Sequence, residues 1–106
     1  MAFQYEIILV NLDPTVGSEI KKTRPCVVLS PNEMNTHLRT VTIAPMTTKS
    51  HAYPTRVPIQ HNNINGWVVL DQIRTIDKAR IIKLLGNLSP SEVQSCKAII
   101  QEMLVD

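Results

Sequence analysis

The chain is a succession of short β-branched runs, each cut off by proline, glycine or asparagine, followed by one sharply marked helix. This pattern constrains the fold more than any other feature, because runs this short pay for themselves only as paired strands of one sheet. Residues 5–12 (YEIILVNL) are apolar and β-branched, and "DPTVG" ends them with turn chemistry. Residues 24–30 (RPCVVLS) form a second, mostly buried strand, and residues 40–47 (TVTIAPMT) a third, with Pro45 pushing its end to an edge or bulge. Residues 55–60 (TRVPIQ) put Val57 and Ile59 on one face, and Pro58 again marks an edge. "HNNING" is a tight turn, residues 67–76 (WVVLDQIRTI) read as one long strand, and residues 81–85 begin the last extended segment.

The helix is written at both ends of its first turn. Ser89 caps, Pro90 takes the first helical position, and Glu92 completes a capping box. Val93, Cys96, Ile99, Ile100, Met103 and Leu104 then recur at helical spacing, giving one apolar face to lay on the sheet. A shorter helical turn is expected in "SPNEMNTHL", with Ser30 as its cap and Pro31 in first position. The expected fold class is mostly β (α+β): a small SH3-like barrel or twisted antiparallel sheet with short helices and a C-terminal helix.

At 106 residues there is room for one domain and one modest core, so residues 1–106 are read as a single domain. With 43% hydrophobic residues but only Phe3, Tyr5, Tyr53 and Trp67 aromatic, valine, isoleucine and leucine must fill the interior. A net charge of +2 permits a polyanionic partner without arguing for one. Cys26 and Cys96 have no metal-ligand spacing and read as small core residues. Histidines 37, 51 and 61 likewise show no ligand spacing, and neither a glycine-rich phosphate loop nor a Ser-His-Asp order is present. Nothing at the N-terminus resembles a signal peptide, and the apolar run 7–10 is far too short to span a membrane. A soluble cytoplasmic protein without a membrane association is expected.

Polar clusters interrupt this apolar pattern. In "GSEIKKTRPCVVLS" (residues 17–30) a loop with Glu19, Lys21 and Lys22 leads to Arg24, which Pro25 holds in extended backbone. The others are "MTTKS" at 46–50, His51 in the loop after it, and "LDQIRT" at 70–75. Singly, each reads as well as a solvated strand end. Taken in order, "DPTVGSE", "RPCVVLSP", "APMTTKSHAYP" and "VVLDQIRTID" resemble the MazF/PemK family of toxin endoribonucleases over most of the chain.

The resemblance implies a homodimeric toxin of a type II toxin–antitoxin system. It would cut single-stranded RNA, mRNA included, as an mRNA interferase, and a MazE-like antitoxin would restrain it. No cofactor and no metal are implied. The family's catalytic arginine and threonine match Arg24 and Thr47. Glu19, Lys49 and Gln72 fall where relatives contact or orient RNA, and Thr48 is the neighbour of Thr47, structural or a minor RNA contact. Lys21, Lys22 and Lys49 are placed to track the backbone and Tyr53 to stack a base. Glu19, His51 and Asp71 are the candidates for general base and acid, among which the sequence does not choose. Asp71 matches an acidic position that some relatives use in catalysis, but the basic residue they carry two positions earlier is Val69 here. Two alternatives remain: a non-enzymatic toxin similar to the gyrase poison CcdB, and an inactive barrel that binds a partner. The first is disfavoured because this chain ends in "QEMLVD" rather than a Trp-Gly-Ile-like tail.

Overall fold

A computed structural model of the chain describes residues 2–12, 23–49, 52–61 and 64–105. Seven strands form the sheet: β1 (Glu6–Asn11), β2 (Thr23–Val28), β3 (Thr40–Thr47), β4 (Arg56–His61), β5 (Ile64–Val69), β6 (Arg74–Asp77) and β7 (Ile81–Asn87). The hydrogen-bonded order is β4-β5-β3-β2-β1-β7, with β6 also paired to β3, and every pairing is antiparallel. The path ends on β4 and β7, so the sheet is an open, twisted one. Pro58 sits on the edge strand β4, where a missing N–H costs no ladder bond.

Strand alternation gives the sheet two apolar faces. Ile7, Val27, Ala44, Met46, Val57, Ile59 and Val68 line one face, and the helix α2 (Pro90–Ile100) covers it with Val93, Cys96, Ile99 and Ile100. Val10, Cys26, Val28, Val41, Ile43 and Ile76 form a second cluster on the other. The two cysteines are fully buried free thiols, one in each cluster. The capping box at Ser89 is formed as the sequence predicts: its hydroxyl accepts from the Glu92 amide, and the Glu92 carboxylate accepts from the Ser89 amide. Beyond α2 the chain widens into a π turn over Gln101–Val105. That change of pitch rotates Leu104 off the apolar stripe, and it is 66% exposed rather than packed.

Three further expectations are corrected. The long strand expected over 67–76 is broken by a 3-10 turn at Leu70–Gln72 between β5 and β6. β3 passes from β6 partners at residues 40–43 to β5 partners at residues 46 and 47, and Pro45 stands in the step between. Pro45 has no N–H to donate there, and the neighbouring chain turns out of the ladder and buries Leu70. β3 is central, so Pro45 lies buried within it rather than at an edge, and of the two expectations for it the interruption of the ladder is the one observed.

The short helix α1 (Asn32–His37) has Pro31, not Ser30, at its N-cap, and no side chain caps it. The Ser30 hydroxyl is already committed: it donates to Asn35 Oδ1 at 2.6 Å and accepts from the Thr42 amide at 3.0 Å. A buried polar pair that ties α1 to β3 wins over the cap.

Candidate active site

Arg24 and Thr47 meet through sheet register. Cys26, Val27 and Val28 of β2 lie opposite Pro45, Ala44 and Ile43 of β3. Arg24 lies two residues before Cys26 on β2 and Thr47 two residues after Pro45 on β3, so both follow the last paired residues on the same side of the sheet. Both share the face whose interior holds Val10, Cys26 and Ile43, at the point where that face gives out. Cross-strand pairing adds Arg56, which is opposite Val69, and Arg74, which is opposite Ile43.

These side chains line one cleft of about 390 Å³. Arg24, Arg56, Arg74 and Lys49 supply its cations, Thr47 and Gln72 its neutral polar groups, and Leu12, Pro45, Met46 and Val69 its apolar lining. No carboxylate is among these lining residues. The guanidinium charges converge: burial pushes the Cys26 thiol up to about 12, against the opposing pull of Arg24 and Arg74. The Cys26 Sγ also donates to the Arg24 carbonyl at 3.6 Å, which ties the base of the arginine to the packed interior. Thr47 Oγ1 accepts from the Lys49 amide at 3.1 Å and donates to the Lys49 carbonyl at 3.3 Å, so the turn after β3 fixes the hydroxyl.

Of the residues singled out from the sequence, the cleft therefore gathers Arg24, Thr47, Lys49 and Gln72. Thr48 points the other way, into a shallower groove with Trp67, Asn65, Gln60 and Glu92. Asp71 stands behind the cleft wall, where it accepts from the Thr55 hydroxyl at 2.9 Å and from Arg56 Nε at 3.4 Å. Burial pushes its carboxyl up, but bonds from Thr55, Arg56 and its own amide, with the Arg56 charge, together outweigh it and hold the carboxyl below the ordinary value. Tyr53 lies under the Arg56 guanidinium, 4.8 Å from ring centroid to Cζ, rather than open for a base on that side. Glu19, Lys21, Lys22 and His51 lie outside the described residues.

Sequence reasoning passed over Arg56 and did not single out Arg74 as a site residue. Alternation did carry a signal: Val57 and Ile59 face the helix side, so Arg56 and Pro58 face the other. Nothing in the sequence says that this other face ends in a cleft.

An antiparallel sheet with a helix on one face and a cationic, carboxylate-free cleft at the end of the other defines a compact class of small β proteins. The particular family follows from comparison: residues 3–104 match PemK-like, MazF-like toxin of type II toxin-antitoxin system, and the chain belongs to that family. The Endoribonuclease toxin MazF of Escherichia coli (strain K12) is 36% identical over 100 residues, covering 93% of this chain and 90% of that protein. Among solved structures, the Mycobacterium tuberculosis toxin MazF-mt6 superposes with a TM-score of 0.77 at 27% identity, covering 92% of this chain and 93% of that one. A MazE-MazF structure from Deinococcus radiodurans gives a TM-score of 0.85 at 24% identity, over 97% and 95% of the two chains. At that last identity the likeness is one of fold. No helix among the described residues is long and apolar enough to cross a membrane.

Proposed function

We propose that this chain is the endoribonuclease toxin of a type II toxin–antitoxin pair and cuts single-stranded RNA by attack of its own 2′-OH. The observation that supports the mechanism is that Arg24 and Thr47 line one cationic cleft. RNA brings its nucleophile with it. The protein must take the 2′-OH proton, stabilise the dianionic phosphorane and return a proton to the leaving 5′-oxygen. Arg24 holds the developing charge, because a guanidinium stays ionised and its fork addresses two phosphate oxygens together. Thr47 donates its hydroxyl to a non-bridging oxygen, exchanging its contact with the Lys49 carbonyl for the phosphate. Preorganised donors of this kind are worth roughly 3–4 kcal/mol each in the transition state. Lys49 and Gln72 contact the strand, and Lys21, Lys22 and Thr48 are the remaining RNA-contact candidates. Glu19 and His51 are the candidates for base and acid. Asp71, with its carboxyl held low and its oxygen bonded to Arg56, is a poor match for either task near neutral pH.

The same reading makes the working unit a cytoplasmic homodimer restrained by a MazE-like antitoxin, whose acidic, initially disordered tail folds onto the RNA surface. One digestion tests the core of it. Purified protein and a long unstructured RNA in excess EDTA should yield fragments with 2′,3′-cyclic phosphate and 5′-hydroxyl ends. An all-DNA copy of a cleaved sequence should remain whole. Cut DNA, or RNA left intact once EDTA is added, would replace this mechanism with metal-dependent hydrolysis.

A further inference from the structure

Arg56 enters the cleft from the far wall. Its strand β4 is separated from the Arg24 strand β2 by β5 and β3 in the hydrogen-bonded order, so the two arginines reach the cleft from different strands of the sheet. Two features hold it there: Asp71 Oδ1 takes the Nε edge of the guanidinium, and the Tyr53 ring supports its face. The Asp71 oxygen is itself fixed by the Thr55 hydroxyl at 2.9 Å. The Arg56 side chain is 21% exposed and its carboxylate partner 36%, so the guanidinium is partly buried in the cleft wall and Asp71 holds it from the exposed side. A bond at Nε leaves the orientation of the terminal nitrogens set by the planar fork. Held by Asp71 and Tyr53, the Arg56 guanidinium stays on the β4 side of the cleft, away from the β2 side that carries Arg24.

We infer that Arg56 is a second phosphate seat, which binds a backbone phosphate flanking the scissile one, and that Asp71 is the residue that positions it. The inference rests on the ribonuclease reading above. It assigns Asp71 to holding a cation rather than to moving a proton, and it gives the cleft a means of fixing strand register without reading a base.

The test uses the intact chain and a fluorescent single-stranded RNA with one mapped cleavage site, made 2′-deoxy at that site so that binding is read without cutting. Neutral methylphosphonate linkages replace the flanking phosphates one at a time. With wild-type protein, one of these replacements should weaken binding about tenfold. With Arg56→Gln the same replacement should cost no more than about twofold further, because its partner is already gone. Losses that stay fully additive at every flanking position would overturn the seat. Arg56→Lys, which keeps the charge and the apolar stem, should still bind several-fold more weakly than wild type, and full recovery by lysine would reduce the seat to simple charge.

Asp71→Asn separates positioning from field. Removing a negative charge beside a cationic cleft should tighten RNA binding if only the field matters. The positioning role requires the reverse, binding about threefold weaker with the flanking methylphosphonate effect diminished, and tighter binding would overturn it. If wild-type protein cuts no RNA, the ribonuclease reading fails on that result alone. The seat is then judged on a uridine 12-mer: Arg56→Gln should lower the slope of log K against log salt by about 0.7, and an unchanged slope would overturn it.

Discussion

Two hollows lie on either side of the end of β3, and adjacent threonines face into them. Thr47, the last residue of β3, lines the cationic cleft, and Thr48, in the bend after it, lines the groove beside Trp67. In the cleft, three arginines and a lysine are gathered with no carboxylate among the lining residues. In the groove, the one carboxylate is fully employed in structure: Glu92 Oε1 accepts from the Ser89 amide at 2.8 Å and Oε2 from the Gln60 amide at 2.9 Å. The groove's polar atoms therefore hold the helix to an edge strand, whereas in the cleft Arg56 is paired with Asp71 from outside the lining and no lining residue carries a negative charge. The two hollows thus differ in whether a lining carboxylate is tied into the fold.

The largest expected effect is at the cleft. Arg24→Ala should lower RNA cleavage by roughly 10²–10³-fold while leaving fold and oligomeric state intact, since the arginine lies where the apolar face ends. Circular dichroism and light scattering beside a single-turnover assay check this, and a folded variant cutting at the wild-type rate would end the phosphate-clamp role. Arg24→Lys should recover little, for want of the fork. Thr47→Ala should cost one to two orders of magnitude by about the same logic, and Thr48→Ala less than about threefold. If Thr48→Ala proved the worse of the two, the contrast between the hollows would be reversed. The Arg24→Ala, Thr47→Ala double variant should be scarcely worse than the worse single one, because both groups act on one phosphorane.

Gly66 joins the hollows. It belongs to the groove, yet a Cβ built there would come to 3.1 Å from the Thr47 carbonyl oxygen. Gly66→Ala should therefore displace Thr47 by a few tenths of an ångström and reduce cleavage by about tenfold or less, as small misplacements at a reacting centre do. Unchanged kinetics would show that β3 absorbs the push elsewhere.

Glu92→Ala should do the reverse. It removes half of a capping box and the acceptor for Gln60, at a cost of about 1–2 kcal/mol in urea unfolding, with cleavage by the folded protein near normal. A cleavage loss to match would place the groove within the site.

The smallest effect is on the thiols, one beneath each face. Burial raises Cys26 from 9.0 to about 12 and Cys96 from 9.0 to about 11. In the unfolded chain both ionise near the lower value, so folding disfavours the thiolate. Their contribution to stability is complete below pH 9 and is lost as pH climbs through 9 toward the folded values. Native protein at pH 8 should accordingly resist thiol-reactive dyes that label it promptly in urea. Rapid native labelling of Cys26 alone would mean that the cleft floor opens.

The capped C-terminal helix was legible residue by residue, because Ser89, Pro90 and Glu92 act through contacts within one turn. The strands were legible too, since β-branched runs bounded by turn residues leave few other choices. Less was legible where a residue had two uses. Ser30 reads as a cap until β3 arrives to claim its hydroxyl. The run 67–76 reads as one strand until Pro45, some twenty residues away in sequence, fails to pair with it.

By itself, then, the sequence determined which segments are extended, where the helix begins, and that Arg24 and Thr47 sit at strand ends with family motifs around them. Only the tertiary structure decided that those two ends line one cleft, that Thr48 belongs to a different hollow, and that Arg56 and Arg74 complete the cleft. The physical reason is range. Caps, turns and alternation are set by neighbours within a few residues, whereas a cleft is set by register between strands distant in the chain, and register is fixed only when the whole sheet has paired.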